Sequence, residues 1–210
     1  VGIDGLRSYP PSPWSLRGRM HVSVWAVPLA SVPAVPSAVR PFRLFGRAFI
    51  GTAWVDYQPG GDLSYRELLS AVLTRDGWRP RVTITHIWVD SVASRDGGRE
   101  LWGIPKDLAS FSLSGTAASA LTPDGAIASA RLSGRGLPPR LPVGFRVLQD
   151  LAGRLVTTPV RSTARYGPAR VAWTIAPDGP LRFLAGRRPL LSFVAADFRM
   201  RFGTAQRVVV

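Results

Sequence analysis

Lys106 is the one lysine among 27 basic residues; the other 26 are arginine. It stands in Gly98-Arg-Glu-Leu-Trp-Gly-Ile-Pro-Lys106-Asp-Leu-Ala109, an apolar, proline-preceded segment. A guanidinium stays protonated in proteins, whereas an amine on an alkyl stem can lose its proton when desolvated. The neutral amine then adds to a carbonyl and forms an imine, a reaction closed to arginine. A GC-rich genome explains the loss of lysine elsewhere, but not the survival of one in such a segment. Glutamate is nearly as scarce. Of 13 acidic residues only Glu67 and Glu100 are glutamate, and each is a candidate partner for the lysine.

Other chemistries find little support. The chain has no cysteine, which removes disulfides, thiol catalysis and thiolate metal sites. Its two histidines, His21 and His86, lie far apart in strand-like runs and read as core or hydrogen-bonded residues, so no metal site is expected. No Gly-x-Ser-x-Gly elbow and no Gly-rich phosphate loop is present. The net charge of +14 invites a nucleic-acid reading. The arginines, however, run from Arg7 to Arg207 without a long basic block, and no nucleic-acid-binding signature accompanies them. An anionic substrate accounts for part of the charge, and neither nucleic acid nor membrane is expected as a partner. No run approaches the roughly 18 apolar residues of a membrane helix. A cytoplasmic location fits the absence of cysteine.

The elements that must position Lys106 are mostly strands. Residues 20–27, 47–57 and 81–89 alternate or are rich in β-branched and aromatic side chains. Residues 65–74 fit a strand or a short helix, and 110–116, 126–133, 170–175 and 197–202 read as further strands between Gly/Pro turns. Residues 9–14 are a proline-stiffened extended entry. Pro59-Gly60-Gly61 and Asp96-Gly97-Gly98 read as turns, the second leading into the lysine segment. Helical spacing of Phe145, Leu148, Leu151, Ala152 and Leu155 predicts a helix over 144–155. The 210 residues thus read as a single domain (1–210) of mainly β (α+β) class, antiparallel, with few helices and closed or sandwiched edges.

The stretch Gly98-Arg99-Glu100-Leu101, followed by Pro105-Lys106 and Leu108, resembles the active-site segment of acetoacetate decarboxylases, whose Pro-Lys carries the Schiff-base lysine. Weaker matches run almost end to end: Arg19, Tyr65-x-Glu67, Gly167-Pro168-Ala169-Arg170 and Ala196-Asp197. The resemblance implies a cone-shaped antiparallel β-barrel around an enclosed pocket, assembled into oligomers. It implies a cofactor-free lyase of decarboxylase or aldolase/dehydratase type, acting on a keto acid or a polyketide-like keto compound. Lys106 and Glu67 would be catalytic, while Arg19, Tyr65 and Trp102 would bind substrate, with Arg19 holding a carboxylate. Trp102, Ile104 and Phe111 would supply apolar walls.

The chain departs from the family pattern at two positions. Asp107 stands where a second lysine follows the nucleophile, and Gly51 occupies the region of a second glutamate. Both imply a relative with altered chemistry, and a non-covalent binding protein or cyclase, with Lys106 as a hydrogen-bond donor or charge, is the alternative. Asp107 is expected to point away from the pocket, because successive residues on a strand face opposite sides. Arg99 is expected to pair with Asp90 or Asp96, and Glu100 to brace the barrel rim.

Overall fold

The computed structural model describes residues 8–77 and 79–208, so Arg7 lies outside it. Along the chain come β1 (Trp14–Pro28), the short β2 (Arg40–Pro41) and β3 (Arg43–Leu44), β4 (Arg47–Tyr57), β5 (Tyr65–Asp76) and β6 (Arg79–Val89). The single α-helix among the described residues, α1 (Val92–Trp102), precedes β7 (Lys106–Leu108), β8 (Ser110–Leu113), β9 (Ala117–Thr122) and β10 (Gly125–Gly134). The chain continues with β11 (Leu141–Leu151), β12 (Arg154–Ile175), β13 (Leu191–Phe202) and β14 (Gln206–Arg207).

Seven strands form a ring in the order β6-β5-β4-β1-β13-β12-β11. All its pairings are antiparallel except the last, where β11 meets β6 through the single parallel pair Val147 and Val82. The first half of β12 belongs to this ring; its second half leaves to pair with β10. Strands β12, β10, β9 and β8 then lie as a second layer against the outside of the ring. Strand alternation divides the apolar residues between the two faces of the ring wall. One side of the ring wall sends Leu16, Val55, Ile87 and Phe198 inward. The other sends Trp54, Leu68 and Trp88 against Ala118, Ile127, Leu132 and Val171 of the outer layer.

Two expectations fail here for identifiable reasons. Residues 144–155 are a β-hairpin between β11 and β12, not a helix. Ala152 and Gly153 form its two-residue loop with φ of 53° and 77°. Positive φ at both positions matches the right-handed twist of the flanking strands. The helical spacing of apolar residues was therefore fortuitous: Val147 faces the cavity, whereas Ala152 is a turn residue.

Asp96-Gly97-Gly98 lies inside α1 rather than in a turn. Ser91 caps the helix by accepting a bond from the Ser94 N–H at 3.2 Å. Gly103 ends it in the left-handed conformation (φ 66°), with the Ile104 N–H bonded to the Gly98 carbonyl at 3.1 Å. The glycines serve close packing. A Cβ at Gly98 would lie 2.6 Å from Lys106 Cδ, and one at Gly97 would lie 2.6 Å from the Trp14 ring.

Candidate active site

Lys106 opens β7, which runs parallel to β6 with Lys106 beside Ile87 and Asp107 beside Trp88. Ile87 lines the interior of the ring and Trp88 packs in the outer core, so the same alternation sends Lys106 inward. The register of β4 with β5 pairs Tyr57 with Tyr65 and Val55 with Glu67, all on the interior face. Three distant segments thereby converge on one buried polar cluster. Lys106 Nζ donates to Ser94 Oγ at 2.8 Å, to Glu67 Oε2 at 3.0 Å and to the Tyr65 hydroxyl at 3.2 Å. The Tyr57 hydroxyl donates to the second oxygen, Glu67 Oε1, at 3.0 Å. Lys106 is 4% exposed and Glu67 2%, so this is a fully buried ion pair whose ammonium has three acceptors.

Burial drives the Lys106 amine downward in pKa, while Glu67 and Tyr65 push it up; the net shift is upward from 10.5. The resting amine is therefore held as an ammonium, and desolvation alone does not free it. Burial likewise raises Tyr57 and Tyr65, with Glu67 adding to the shift of each, so both phenols remain hydrogen-bond donors at neutral pH.

The cluster sits at the wall of a cavity of ≈ 330 Å³. Trp102 and Ile104 line it, as expected from the sequence. Trp102 is fixed by its indole N–H, which donates to the Gly203 carbonyl at 2.7 Å, and by edge contact with Trp14. Phe111 does not line it; that ring packs against Trp54 in the outer core.

Arg19 is not in the cavity either. Its neighbour Met20 points inward, so Arg19 faces the outer layer, where Nη2 donates to the Gly134 carbonyl at 2.7 Å. No arginine among the described residues lines the cavity, which removes the expected carboxylate clamp.

Asp107 is exposed and holds the Arg99 guanidinium. Arg99 Nε also donates to the Lys106 carbonyl at 2.6 Å, so this pair ties the outer edge of β7 to α1. The anticipated partners of Arg99 are engaged elsewhere: Asp96 with Arg95 and Asp90 with Arg66. Glu100 accepts from the Tyr9 hydroxyl.

Sequence reasoning missed Tyr57 and Ser94. Tyr57 is identified only by the β4–β5 register, which sets it opposite Tyr65. Ser94 follows Ser91 by three residues, a spacing that fits a helix start but was obscured by the glycines downstream. Among the described residues no group of three or more acidic or histidine side chains is arranged to hold a metal ion. No helix among them is long and apolar enough to cross a membrane.

Known folds share this architecture. Acetoacetate decarboxylase from Legionella pneumophila superposes with a TM-score of 0.76 at 16% identity, over 97% of this chain and 90% of that one. An acetoacetate decarboxylase-like enzyme from Sphingomonas wittichii RW1 gives 0.70 at 16% identity, over 95% and 94% of the two chains. The enduracididine biosynthesis enzyme MppR, complexed with pyruvate, gives 0.66 at 16% identity, over 95% and 91%. No curated protein matches the sequence significantly. The acetoacetate decarboxylase family model matches residues 7–137, more than half the chain and the part that carries Tyr57, Tyr65, Glu67, Ser94 and Lys106. With a family-model match of that extent and the same fold, the chain belongs to the acetoacetate decarboxylase family.

Proposed function

We propose that this protein is a Schiff-base-forming lyase that uses Lys106 as its nucleophile toward a small keto compound. One observation carries the reading: the chain's one lysine is buried at a cavity wall, with a carboxylate and two hydroxyls on its nitrogen. The catalytic roles fall to Lys106 and Glu67. Ser94 and Tyr57 position them, Tyr65 contacts the substrate oxygen, and Trp102 forms part of the substrate wall.

The ion pair defines how the amine is activated. In an apolar enclosure a neutral amine beside a neutral acid competes with the charged pair, because separated charges are poorly solvated there. Moving one proton along the 3.0 Å Lys106–Glu67 bond frees the nitrogen lone pair without changing the net charge of the site. The amine adds to the substrate carbonyl, and the protonated Glu67 returns its proton to the carbinolamine oxygen, which leaves as water. The iminium then withdraws the electron pair of a bond at the adjacent carbon. Tyr65, whose hydroxyl stays protonated, donates to the developing oxygen.

The MppR structures, one with pyruvate and one with the condensation product of pyruvate and imidazole 4-carboxaldehyde, favour carbonyl chemistry on this fold. The raised pKa of Lys106 favours a second reading, in which the ammonium only donates hydrogen bonds to a bound ligand.

Borohydride reduction in the presence of ketones and keto acids tests the assignment. The expected result is a stable mass increase on the peptide carrying Lys106, lost in Lys106→Arg and Lys106→Met. No adduct across a broad panel, or full activity in Lys106→Arg, would overturn covalent catalysis and leave the hydrogen-bonding role.

A further inference from the structure

Among the described residues, Lys106 and Glu67 are the only ionisable ones other than tyrosines that line the cavity, and they neutralise each other. The remaining wall is built from side chains such as Leu16, Met20, Val22, Leu69, Phe193 and Phe202. Gly51 adds room at one point of this wall. A Cβ there would meet no atom within 4 Å, so the cavity is widened rather than filled at that point. Arginines do stand close by: Arg17, Arg161, Arg199 and Arg201 line an adjoining outer pocket that shares Leu16, Val143, Ser162 and Met200 with the cavity. Arg17 and Arg199 are register partners on the outer face, while Leu16 and Met200 beside them face inward, so none of these guanidinium groups lines the cavity that holds Lys106.

We infer that the substrate is an uncharged, apolar-bodied ketone and not a keto acid. This inference rests on the Schiff-base reading for its chemistry, but its selectivity argument rests on the cavity alone. A carboxylate entering this space would leave water and find no cation beyond an ammonium already bonded to Glu67, Tyr65 and Ser94. Burying an unpaired charge is strongly unfavourable, whereas an alkyl chain gains from the same walls. A volume of ≈ 330 Å³ is at the small end of ligand sites and has room for on the order of ten water-sized groups. A ketone of medium chain length matches that space.

Without a carboxylate to lose, the bond that yields at the adjacent carbon is a C–H bond. Once the amine has added and water has left, the Glu67 carboxylate removes a proton from the carbon next to the iminium. The C–H electron pair forms the enamine C=C bond, and the C=N pair returns to nitrogen. With no electrophile present, reprotonation from Glu67 and hydrolysis restore the ketone and the lysine; with an aldehyde present, the enamine carbon would instead form the C–C bond, the aldehyde oxygen taking the proton from Glu67, which is the reverse of an aldolase-type lyase reaction. In D₂O this cycle exchanges the α-hydrogens of the ketone for deuterium.

The experiment compares 2-nonanone with 2-oxononanoate, a keto acid of equal chain length, on the full chain. Binding is read without borohydride from the fluorescence of Trp14 and Trp102, which line the cavity, and trapping and α-deuterium exchange are read by mass spectrometry. The expected result is binding of 2-nonanone at least roughly tenfold tighter, with an adduct at Lys106 and deuterium exchange abolished in Lys106→Met. Equal or tighter binding of 2-oxononanoate overturns the apolar-ketone inference, and trapping of either compound would still support the lysine chemistry. Preferential binding of 2-nonanone with neither adduct nor exchange supports the ligand class and overturns the Schiff-base reading. Failure of both compounds to bind overturns the inference.

Discussion

Gly98 of α1 lies flat against the stem of Lys106: a Cβ at position 98 would stand 2.6 Å from Lys106 Cδ and 2.9 Å from Cε. A side chain at this point would force the lysine stem or the helix to shift. The glycine therefore sets the direction of the nucleophile, although it carries no chemistry of its own.

Gly98→Ala separates stability from reactivity. Alanine gains up to about 1 kcal/mol in helix propensity, while overpacking costs about 1–3 kcal/mol. The expected variant is folded, with a net loss of no more than about 2 kcal/mol in urea denaturation. Its borohydride trapping at Lys106 should fall by an order of magnitude or more. Wild-type trapping in a folded Gly98→Ala protein would show that the stem has room to move and that the contact does not orient the amine.

Glu67→Gln removes the charge that raises the Lys106 pKa and leaves burial, which lowers it. The pH at which trapping begins should therefore move down by roughly one unit or more. The trapping rate above that pH should fall, because the proton carrier is gone. The linkage changes sign as well. In the wild type the raised amine contributes stability that is full below 10.5 and is lost as pH climbs through its higher folded value. With a lowered amine the contribution is present at alkaline pH and is lost as pH falls through the unfolded value toward the folded one. At neutral pH the variant should lose about 3–5 kcal/mol if Lys106 keeps its proton, and less as it sheds it. Denaturation curves and trapping profiles across the alkaline range measure both effects. An unchanged onset of trapping would mean that Glu67 does not control the amine.

How much of this arrangement is legible in the sequence depends on which physical signal carries it. Strands such as β4 and β6 are set by local alternation and β-branched content, and both read correctly from the chain. Lys106, Glu67, Tyr65 and Trp102 were marked by rarity and by a motif, and all four line the cavity. Arg19 was marked in the same way, yet lies outside. Its side of β1 is fixed by where Gly18 and Met20 pair with β13, and the register slips between them. A shift of one residue reverses the face of every side chain, and no local pattern reports it. The helix α1 was hidden for a related reason: its glycines answer to Trp14 and to Lys106, which are distant in sequence or beyond the helix end. Tyr57 needs the β4–β5 register before it points anywhere.

Asp107→Asn tests whether the residue after the nucleophile acts on it. Asp107 is exposed, bonded to Arg99, and directed away from the cavity by the alternation of β7. Exposed ion pairs contribute about 0–1 kcal/mol, so the stability loss should stay within that range. The pH profile of trapping should coincide with that of the wild type. A shift of the profile to lower pH would show that the Asp107 charge reaches the amine, and that the site senses the outer edge of β7.

His21 provides a readout of the interface between the ring and the outer layer. It is 4% exposed, its Nε2 has no hydrogen-bond partner among the described residues, and its pKa is lowered from 6.5 to about 4. Burial is the main cause and the nearby Arg19 guanidinium adds to it. An unfolded chain binds this proton more readily than the folded one, so His21 favours folding fully above 6.5. That contribution is lost progressively as pH falls from 6.5 toward about 4, and is constant below that. The whole interval corresponds to roughly 3 kcal/mol. Replacing His21 by Phe removes the titration. Urea denaturation at about pH 7 and about pH 4.5 should then show a smaller acid-induced loss in His21→Phe than in the wild type, by roughly 2 kcal/mol. Equal losses in the two proteins would mean that His21 is protonated without disturbing the packing of the outer layer.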